Sequence, residues 1–373
     1  MYLRKLLLLS LFIPSLFTAQ HWTDVSKDNS KSFFEIQEAF YQSADGQDIE
    51  TVKGYKQFKR WEWFWKPRVD ENGEFPAPDH YWKEYKKVSK DRQNSSQAKS
   101  NADWTPLGPY DQNPVGTGPG MGRADVVAED PNNQNILYLG SAAGGLWKSI
   151  DGGSTWEPKT DHLPTLGVSG VVVDPTDTDI IYIATGDGNG SYTGSPSPNS
   201  AGVLKSFDGG DTWQETGLTW SVQTTRTTHE LVMDPSDHNV LLAATDAGVW
   251  KTYDGGENWI VVQGGDVDDI LYHPTDPNIM YAVGNTFYRS NDGGDSFSVV
   301  TEGLPSSFSV GRYGIAVSPD EPDWVYVLAG NSSTSGYLGL WRSTDSGQSF
   351  VERSDSPNLL GWNGDGSDNS GLA

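Results

Sequence analysis

Short apolar runs separated by turn residues recur through residues 104–373, which is typical of strands rather than helices. In each repeat one run ends just before a proline turn, and a second run follows it, as in Gly170-Val-Val-Val-Asp174-Pro and Ile180-Ile-Tyr182. The residues before the proline are Asp130, Asp174, Asp234, His273 and Ser318, and the second runs close on Tyr138, Tyr182, Leu242, Tyr281 and Tyr326. Each unit therefore predicts four short antiparallel strands, the content of one propeller blade.

A second repeated element lies between the third and fourth predicted strands of each unit. It consists of Ser or Thr, any residue, Asp, two small turn residues, two further residues and an aromatic residue. The copies are Ser149, Asp151, Gly153, Trp156; Ser206, Asp208, Gly210, Trp213; Thr252, Asp254, Gly256, Trp259; Ser290, Asp292, Gly294, Phe297; and Ser343, Asp345, Gly347, Phe350. The Asp can accept backbone N–H bonds, Gly allows positive φ, and the aromatic ring can fill space between blades. We therefore predict a structural role for these residues, remote from any active centre.

The motif spacing gives the number of blades. It predicts five blades over about 121–158, 167–216, 226–263, 266–301 and 311–353. The segment Trp104-Thr-Pro-Leu-Gly108 resembles the last strand of a blade and could complete the final one. The tail after Gly361 carries no further motif and resembles a loop that enters another blade, so we expect the propeller to be incomplete.

These motifs resemble the Asp-box, or BNR repeat, of sialidases, of several secreted glycoside hydrolases and of sortilin-type receptors. The resemblance covers 104–373 and implies an all-β Asp-box propeller, but enzymes and binding proteins share the repeat. The block Lys56-Gln-Phe-Lys-Arg-Trp-Glu-Trp-Phe-Trp-Lys-Pro-Arg68 is similar to the region preceding the propeller in secreted bacterial sortilin-like proteins. That likeness implies type IX secretion and a C-terminal sorting domain.

The residues before the repeats differ from them in composition and in predicted secondary structure. Residues 1–19 predict a signal peptide, because Arg4 and Lys5 precede an apolar run too short to span a bilayer. Residues 20–90 predict an aromatic-rich helical segment with helices near 28–41, 51–65 and 80–90, and 91–103 predict a linker. We expect a secreted or cell-surface protein without a membrane span.

Charge is divided unevenly along the chain. The whole sequence has 26 Lys and Arg against 50 Asp and Glu, a net charge of −24, and residues 1–100 hold 16 and 14 of them. Residues 101–373 therefore hold 10 and 36, a net charge of −26, which disfavours nucleic acid as a partner. This acidity fits either simple solubility or a cationic partner. The absence of cysteine excludes disulfides, thiolate catalysis and cysteine zinc sites.

The basic, aromatic block before the propeller allows three interpretations. It could pack on the acidic propeller, form a carbohydrate-stacking platform, or stack on nucleic acid, which the charge of the propeller disfavours. The apolar spacing alone does not choose between the first two.

Candidate site residues lie on predicted first strands and nearby loops. Arg123, Arg226 and Arg312 each precede a proline turn at a similar spacing and could hold a substrate carboxylate as in sialidases. The carboxylates that could serve in glycoside hydrolysis, none of them within a known motif, are Asp125, Asp187, Glu230 and those of 266–269. No metal motif or other cofactor is predicted, although the oxygen-rich loops 186–192 and 363–369 could bind calcium.

The sequence favours a binding or interaction module for protein, peptide or glycan. The longest insertions, around 185–202 and 328–340, would build its binding surface. The alternative is a glycoside hydrolase, sialidase- or glucanase-like, with inner-strand carboxylates as acid and base or nucleophile.

Overall fold

A computed structural model describes residues 22–28, 30–44, 46–77, 80, 83–84, 87–88, 123–188, 198–361 and 367. The chain divides into two compact units, Met1–Ser89 and Lys90–Ala373. The predicted signal peptide, the predicted linker and the segment 104–108 lie outside the described residues. No helix in the described ranges is long and apolar enough to cross a membrane.

Within its described residues the first unit forms the helices α1 (Trp22–Val25), α2 (Phe33–Ser43) and α3 (Tyr55–Trp65), with a 3₁₀ turn at Ile49–Thr51. Helix α2 begins at Ser32, where the Ser32 N–H donates to Glu35 at 2.8 Å and the Glu35 N–H donates back to Ser32 Oγ at 3.3 Å. An aromatic core joins the helices through Trp22, Ile36, Phe40 and Phe58. Of the helix predicted near 80–90, only scattered residues are described.

The described residues of the second unit form five four-stranded antiparallel sheets, which confirms the predicted β-propeller architecture. Blade 1 contains β1 (Ala124–Asp130), β2 (Asn133–Ser141), β3 (Gly145–Ser149) and β4 (Glu157–Pro158). Blade 2 contains β5 (Val168–Val173), β6 (Ile181–Thr185), β7 (Gly202–Ser206) and β8 (Gln214–Thr219). Blade 3 contains β9 (Thr228–Met233), β10 (Leu241–Thr245), β11 (Gly248–Thr252) and β12 (Ile260–Gln263). Blade 4 contains β13 (Asp269–Tyr272), β14 (Met280–Val283), β15 (Phe287–Ser290) and β16 (Ser298–Val299), and blade 5 contains β17 (Val310–Ser318), β18 (Glu321–Asn331), β19 (Tyr337–Ser343) and β20 (Val351–Ser354).

The first strand of each blade lies innermost, since consecutive first strands β1, β5, β9, β13 and β17 pack on one another. Each first strand starts at one end of the blade, here called the upper end, and finishes at the proline turn at the lower end. The repeated Asp motif closes the hairpin between the third and fourth strands and therefore also lies at the lower end.

The blades are held together by apolar clusters between neighbouring sheets. Tyr138 and Leu146 of blade 1, for example, pack with Ile181, Ile183 and Leu204 of blade 2. The closing aromatic residues of four motif copies lie in or against such clusters, and these residues are Trp213, Trp259, Phe297 and Phe350. Because the second strands of blades 2, 3 and 4 bury both faces against neighbouring blades, stability depends on the stack as a whole.

The repeated motif forms a closed hydrogen-bond set in every blade. In blade 2, Ser206 Oγ donates to Asp208 at 2.8 Å and accepts the Gly210 N–H at 2.9 Å, while Asp208 accepts the Thr212 N–H at 2.8 Å. Equivalent bonds occur around Asp151, Asp254, Asp292 and Asp345. In blade 3, hydrogen bonds from Asn258 and Thr252 lower the pKa of Asp254 to about 2. A carboxylate this firmly ionised is unsuited to donate a proton.

A bond not anticipated from the sequence ties the motifs of blades 2, 3, 4 and 5 to the preceding blade. The third-strand cation of one blade donates to the backbone carbonyl of the first small residue after the motif Asp in the next blade. The pairs are Lys148 to Gly209 at 2.9 Å, Lys205 to Gly255 at 3.2 Å, Lys251 to Gly293 at 2.9 Å and Arg289 to Ser346 at 2.6 Å. The turn therefore stabilises both its own hairpin and the contact between blades.

Replacing Ser206 with Ala should destabilise the second unit by about 1–3 kcal/mol, because the buried Gly210 N–H and the Asp208 carboxylate both lose a partner. Urea unfolding followed by tryptophan fluorescence measures the effect. Ser154→Ala is the control, since this exposed serine in the blade 1 turn donates only to the Asp151 carbonyl in the described contacts. Equal unfolding midpoints for the two variants would contradict a structural role for the buried hydroxyl.

Candidate functional site

Charged side chains gather at the upper end of the inner strands, where the chain enters each blade. They come from the start of β1, from the segment after β6, from β9, from the segment leading into β13 and from β17. The residues are Arg123, Asp125, Asp187, His229, Glu230, Asp266, Asp268, Asp269 and Arg312. We call this set the upper cluster.

Arg123 links the first two blades within the upper cluster. Its Nε donates to Asp125 Oδ1 at 2.6 Å, and its guanidinium also donates to Asp187, which follows β6. The Asp125 and Asp187 side chains are only 2% and 8% exposed. Burial raises the pKa of Asp125, and the Arg123 charge opposes that rise. Arg123 therefore serves as the counter-ion of two buried carboxylates.

His229 joins blade 3 to the segment that leads into blade 4. Its Nδ1 lies 2.8 Å from the Gly188 carbonyl, and because a carbonyl can only accept, Nδ1 carries the proton in the neutral ring. Its Nε2 lies 3.5 Å from Asp266, and Asp268 lies 3.6 Å from Nδ1. The imidazole is almost fully buried, so its orientation is fixed by these partners.

His229, Asp266 and Asp268 bring their ligand atoms within 4.8 Å of one another, close enough to hold a metal ion. However, Asp268 Oδ2 lies 3.8 Å from the Arg312 Nε, so a cationic side chain already faces this carboxylate. We interpret the group as an ion-pair network. Burial raises the pKa of Asp268, while Arg312 and His229 lower it.

Glu230 and Asp269 are two carboxyl groups of the upper cluster whose pKa is raised by burial. Burial, and then the charge of Asp269, raise the pKa of Glu230 to about 8, with Arg312 opposing the rise. Burial also raises the pKa of Asp269, which accepts the Ile315 N–H at 3.3 Å. Because the raised pKa of Glu230 lies above neutral pH, Glu230 retains a proton there.

Protonation of Glu230 should make stability depend on pH. Between pH about 4.5 and about 8 the folded protein keeps a proton that the unfolded chain releases, so stability falls as pH rises. Glu230→Gln cannot release that proton, so its stability relative to the wild type should rise across this window by up to about 1.4 kcal/mol per pH unit. Thermal unfolding at pH 5, 7 and 8.5 measures the difference, and parallel curves would show that Glu230 is ionised throughout.

The structure brings four of the five predicted channel candidates to the upper cluster. Arg123, Asp187, Glu230 and Arg312 lie there, whereas Arg226 pairs with Asp246 of its own blade at 3.3 Å. The three arginines thus face different carboxylates in the described residues, and they do not form a shared carboxylate-binding group. His229 was missed, because an isolated histidine carries no motif.

The two oxygen-rich loops proposed for calcium are mostly outside the described residues. The first is described only at 186–188 and the second only at Ser367. The lower end of the channel is different in character. A cavity of about 470 Å³ there is lined largely by apolar residues of β1, β5, β9 and β13, among them Val172, Val232, Met233 and Tyr272.

Comparison with known proteins finds sequence similarity to xyloglucanases over about a third of the chain. No protein-family model matches it. A xyloglucanase from a Paenibacillus species is 32% identical over 145 residues, which is 36% of this chain and 14% of the relative. A xyloglucanase from Acetivibrio thermocellus is 30% identical over 146 residues, or 37% of this chain and 17% of the relative. The crystal structure of an ancestral GH74 enzyme superposes with a TM-score of 0.51 at 20% identity, covering 62% of this chain and 31% of that one, which supports the propeller fold.

Proposed function

We propose that this protein acts on glycans as a glycoside hydrolase, with Glu230 as the general acid. The observation that carries the proposal is the placement of Glu230, whose pKa is raised to about 8, beside Asp269 at the upper end of the inner strands. A carboxylic acid that keeps its proton at neutral pH, next to a second carboxyl group, is the arrangement that glycoside hydrolysis needs. The sequence likeness to two xyloglucanases supports the same class.

The chemistry follows from the surroundings of the two groups. Glu230 would donate its proton to the glycosidic oxygen as the bond to the leaving sugar breaks. Asp269, which accepts the Ile315 N–H at 3.3 Å, would act as base on a water molecule or as nucleophile on the anomeric carbon. Arg312 lowers the pKa of both groups and would stabilise the negative charge left on Glu230.

The substrate class is inferred from charge and from the relatives. Residues 101–373 carry a net charge of −26, which favours a neutral polysaccharide over an anionic one. A sialidase would need cations free to hold a substrate carboxylate, whereas Arg123, Arg226 and Arg312 each face a carboxylate of the protein. We therefore propose a neutral β-glucan of the xyloglucan type, the substrate named for the two relatives.

We also propose that the protein works outside the cytoplasm, as a member of the Asp-box, sortilin-like group. The basis is the N-terminal pattern of Arg4, Lys5 and the apolar run that follows, with the five repeated motifs. Export fits a polysaccharide substrate, which is too large to enter a cell intact.

Incubation of the full chain with xyloglucan, with measurement of reducing ends and of soluble oligosaccharides, tests the function. Starch and a sialylated glycan serve as alternative substrates of different linkage and charge. We expect product from xyloglucan alone. Binding to the polysaccharide without product would instead support the binding module that the sequence favours. The absence of both binding and product would overturn the proposal.

A further inference from the structure

The second strand of each blade shows which blade faces are covered. Every residue of β6, β10 and β14 is buried, so both faces of blades 2, 3 and 4 are packed. In contrast, β2 of blade 1 and β18 of blade 5 alternate between buried and half-exposed residues over most of their length. Blades 1 and 5 therefore each present one incompletely covered face in the described part of the chain.

The open face of blade 5 has the same construction as the faces that receive a following blade. We call the side of a blade that faces the next blade its forward face. The forward-face tyrosines Tyr138, Tyr182 and Tyr281 are at most 2% exposed under the next blade. Tyr326 occupies the same repeat position in blade 5, yet it is half-exposed. Leu328 and Leu340 on the same face are also half-exposed.

The interblade hydrogen bond also has an unmatched donor on this face. Tyr326 pairs in register with Arg342, as Tyr138 does with Lys148 and Tyr281 does with Arg289. Those two partners, like Lys205 and Lys251, donate to a turn carbonyl of the next blade. The Arg342 guanidinium lies 4.0 Å over the Trp324 ring and makes no hydrogen bond to a described residue. Arg342 therefore occupies the position from which the other four cations donate to a turn carbonyl of the next blade.

Blade 1 presents the opposite half of the same interface. Its backward face carries Leu137, Leu139 and Trp147, all half-exposed, where blade 2 carries buried residues against blade 1. Gly152 holds the motif position whose carbonyl accepts the cation in blades 2, 3, 4 and 5. The two faces therefore match as donor with acceptor and apolar with apolar.

We propose that the forward face of blade 5 in one copy binds the backward face of blade 1 in a second copy, with Arg342 donating to the Gly152 carbonyl. Such a contact is heterologous, joining copies head to tail. It would repeat the kind of interface that joins consecutive described blades, in which an apolar cluster is combined with a cation-to-carbonyl bond. The acidity of the second unit opposes the contact at low salt, so it should strengthen as salt screens the charge.

Sedimentation velocity of the full chain at about 0.15 M salt, from about 1 to about 100 μM, tests this proposal. We expect concentration-dependent association of the wild type. Tyr326→Lys with Arg342→Glu should weaken it by at least about tenfold, because the contact loses apolar area and its donor. Arg353→Glu, a similar charge change on the exposed strand β20, is the control and should associate like the wild type. Unchanged melting temperatures confirm that the variants are folded.

A mixing experiment distinguishes this contact from any other association. Leu137→Lys with Leu139→Lys blocks the backward face of blade 1, whereas Tyr326→Lys with Arg342→Glu blocks the forward face of blade 5. Neither double variant should associate on its own. Together they should form a one-to-one complex, since one intact pair of faces remains. The proposal is overturned if the wild type stays monomeric over the whole concentration range. That result would follow if another part of the chain covers these faces. A mixture in which no complex forms also overturns the proposal.

Discussion

Glu230→Gln is expected to lower kcat on xyloglucan by about 10²–10⁴-fold, the range lost when a general acid is removed. The amide keeps the shape of the side chain but cannot protonate the leaving sugar oxygen. KM should change little, because the lost interaction forms in the transition state. In the wild type, activity should fall as pH rises through about 8, where Glu230 ionises, and any residual activity of the variant should lack that limb.

Two further variants make this expectation specific. Asp269→Asn should also lose most activity, and its removal of a neighbouring charge should shift the alkaline limb of the pH profile to lower pH, because that charge raises the pKa of Glu230. Glu129→Gln makes the same chemical change at the lower end of β1, on an exposed side chain, and should retain wild-type activity. Full activity in Glu230→Gln would assign the acid role to another residue while leaving xyloglucan hydrolysis itself intact.

The fold could be predicted from the sequence because the motif acts locally. The hydrogen bonds of its Ser or Thr hydroxyl and its Asp carboxylate join residues at most four positions apart, as between Ser206 and Gly210, so each copy marks one hairpin. The predicted blade 226–263 accordingly matches strands from Thr228 to Gln263. The interblade bond from Lys148 to Gly209 joins residues 61 positions apart, so no local sequence pattern predicts it.

The site was less predictable because the first strands are irregular at their upper ends. Register shifts occur between Ala124 and Val126, between Val168 and Gly170, and between Val310 and Arg312. A bulge re-aims the side chains beside it, so counting alternate residues from the proline turn does not give their direction. Arg226 precedes β9 and turns to Asp246, although its spacing resembles those of the other two arginines.

Gly202→Ala is expected to destabilise the second unit by about 3–5 kcal/mol, among the largest effects of a single substitution. Gly202 begins β7 at φ +95°, and a Cβ atom there would lie 1.9 Å from the Leu218 carbonyl oxygen, so the backbone of β7 or β8 must move. Gly202 N–H also donates to Ser200 Oγ at 2.9 Å, and that hydroxyl lies 2.6 Å from Thr228 Oγ1 on β9. Displacement would therefore reach the strand that carries Glu230, and activity should fall with stability. Gly314→Ala on β17 is the control, because no atom lies within 4 Å of the added Cβ, and it should change the urea midpoint little. Equal midpoints for Gly202→Ala and Gly314→Ala would mean that β7 and β8 accommodate the added methyl group without loss of stability.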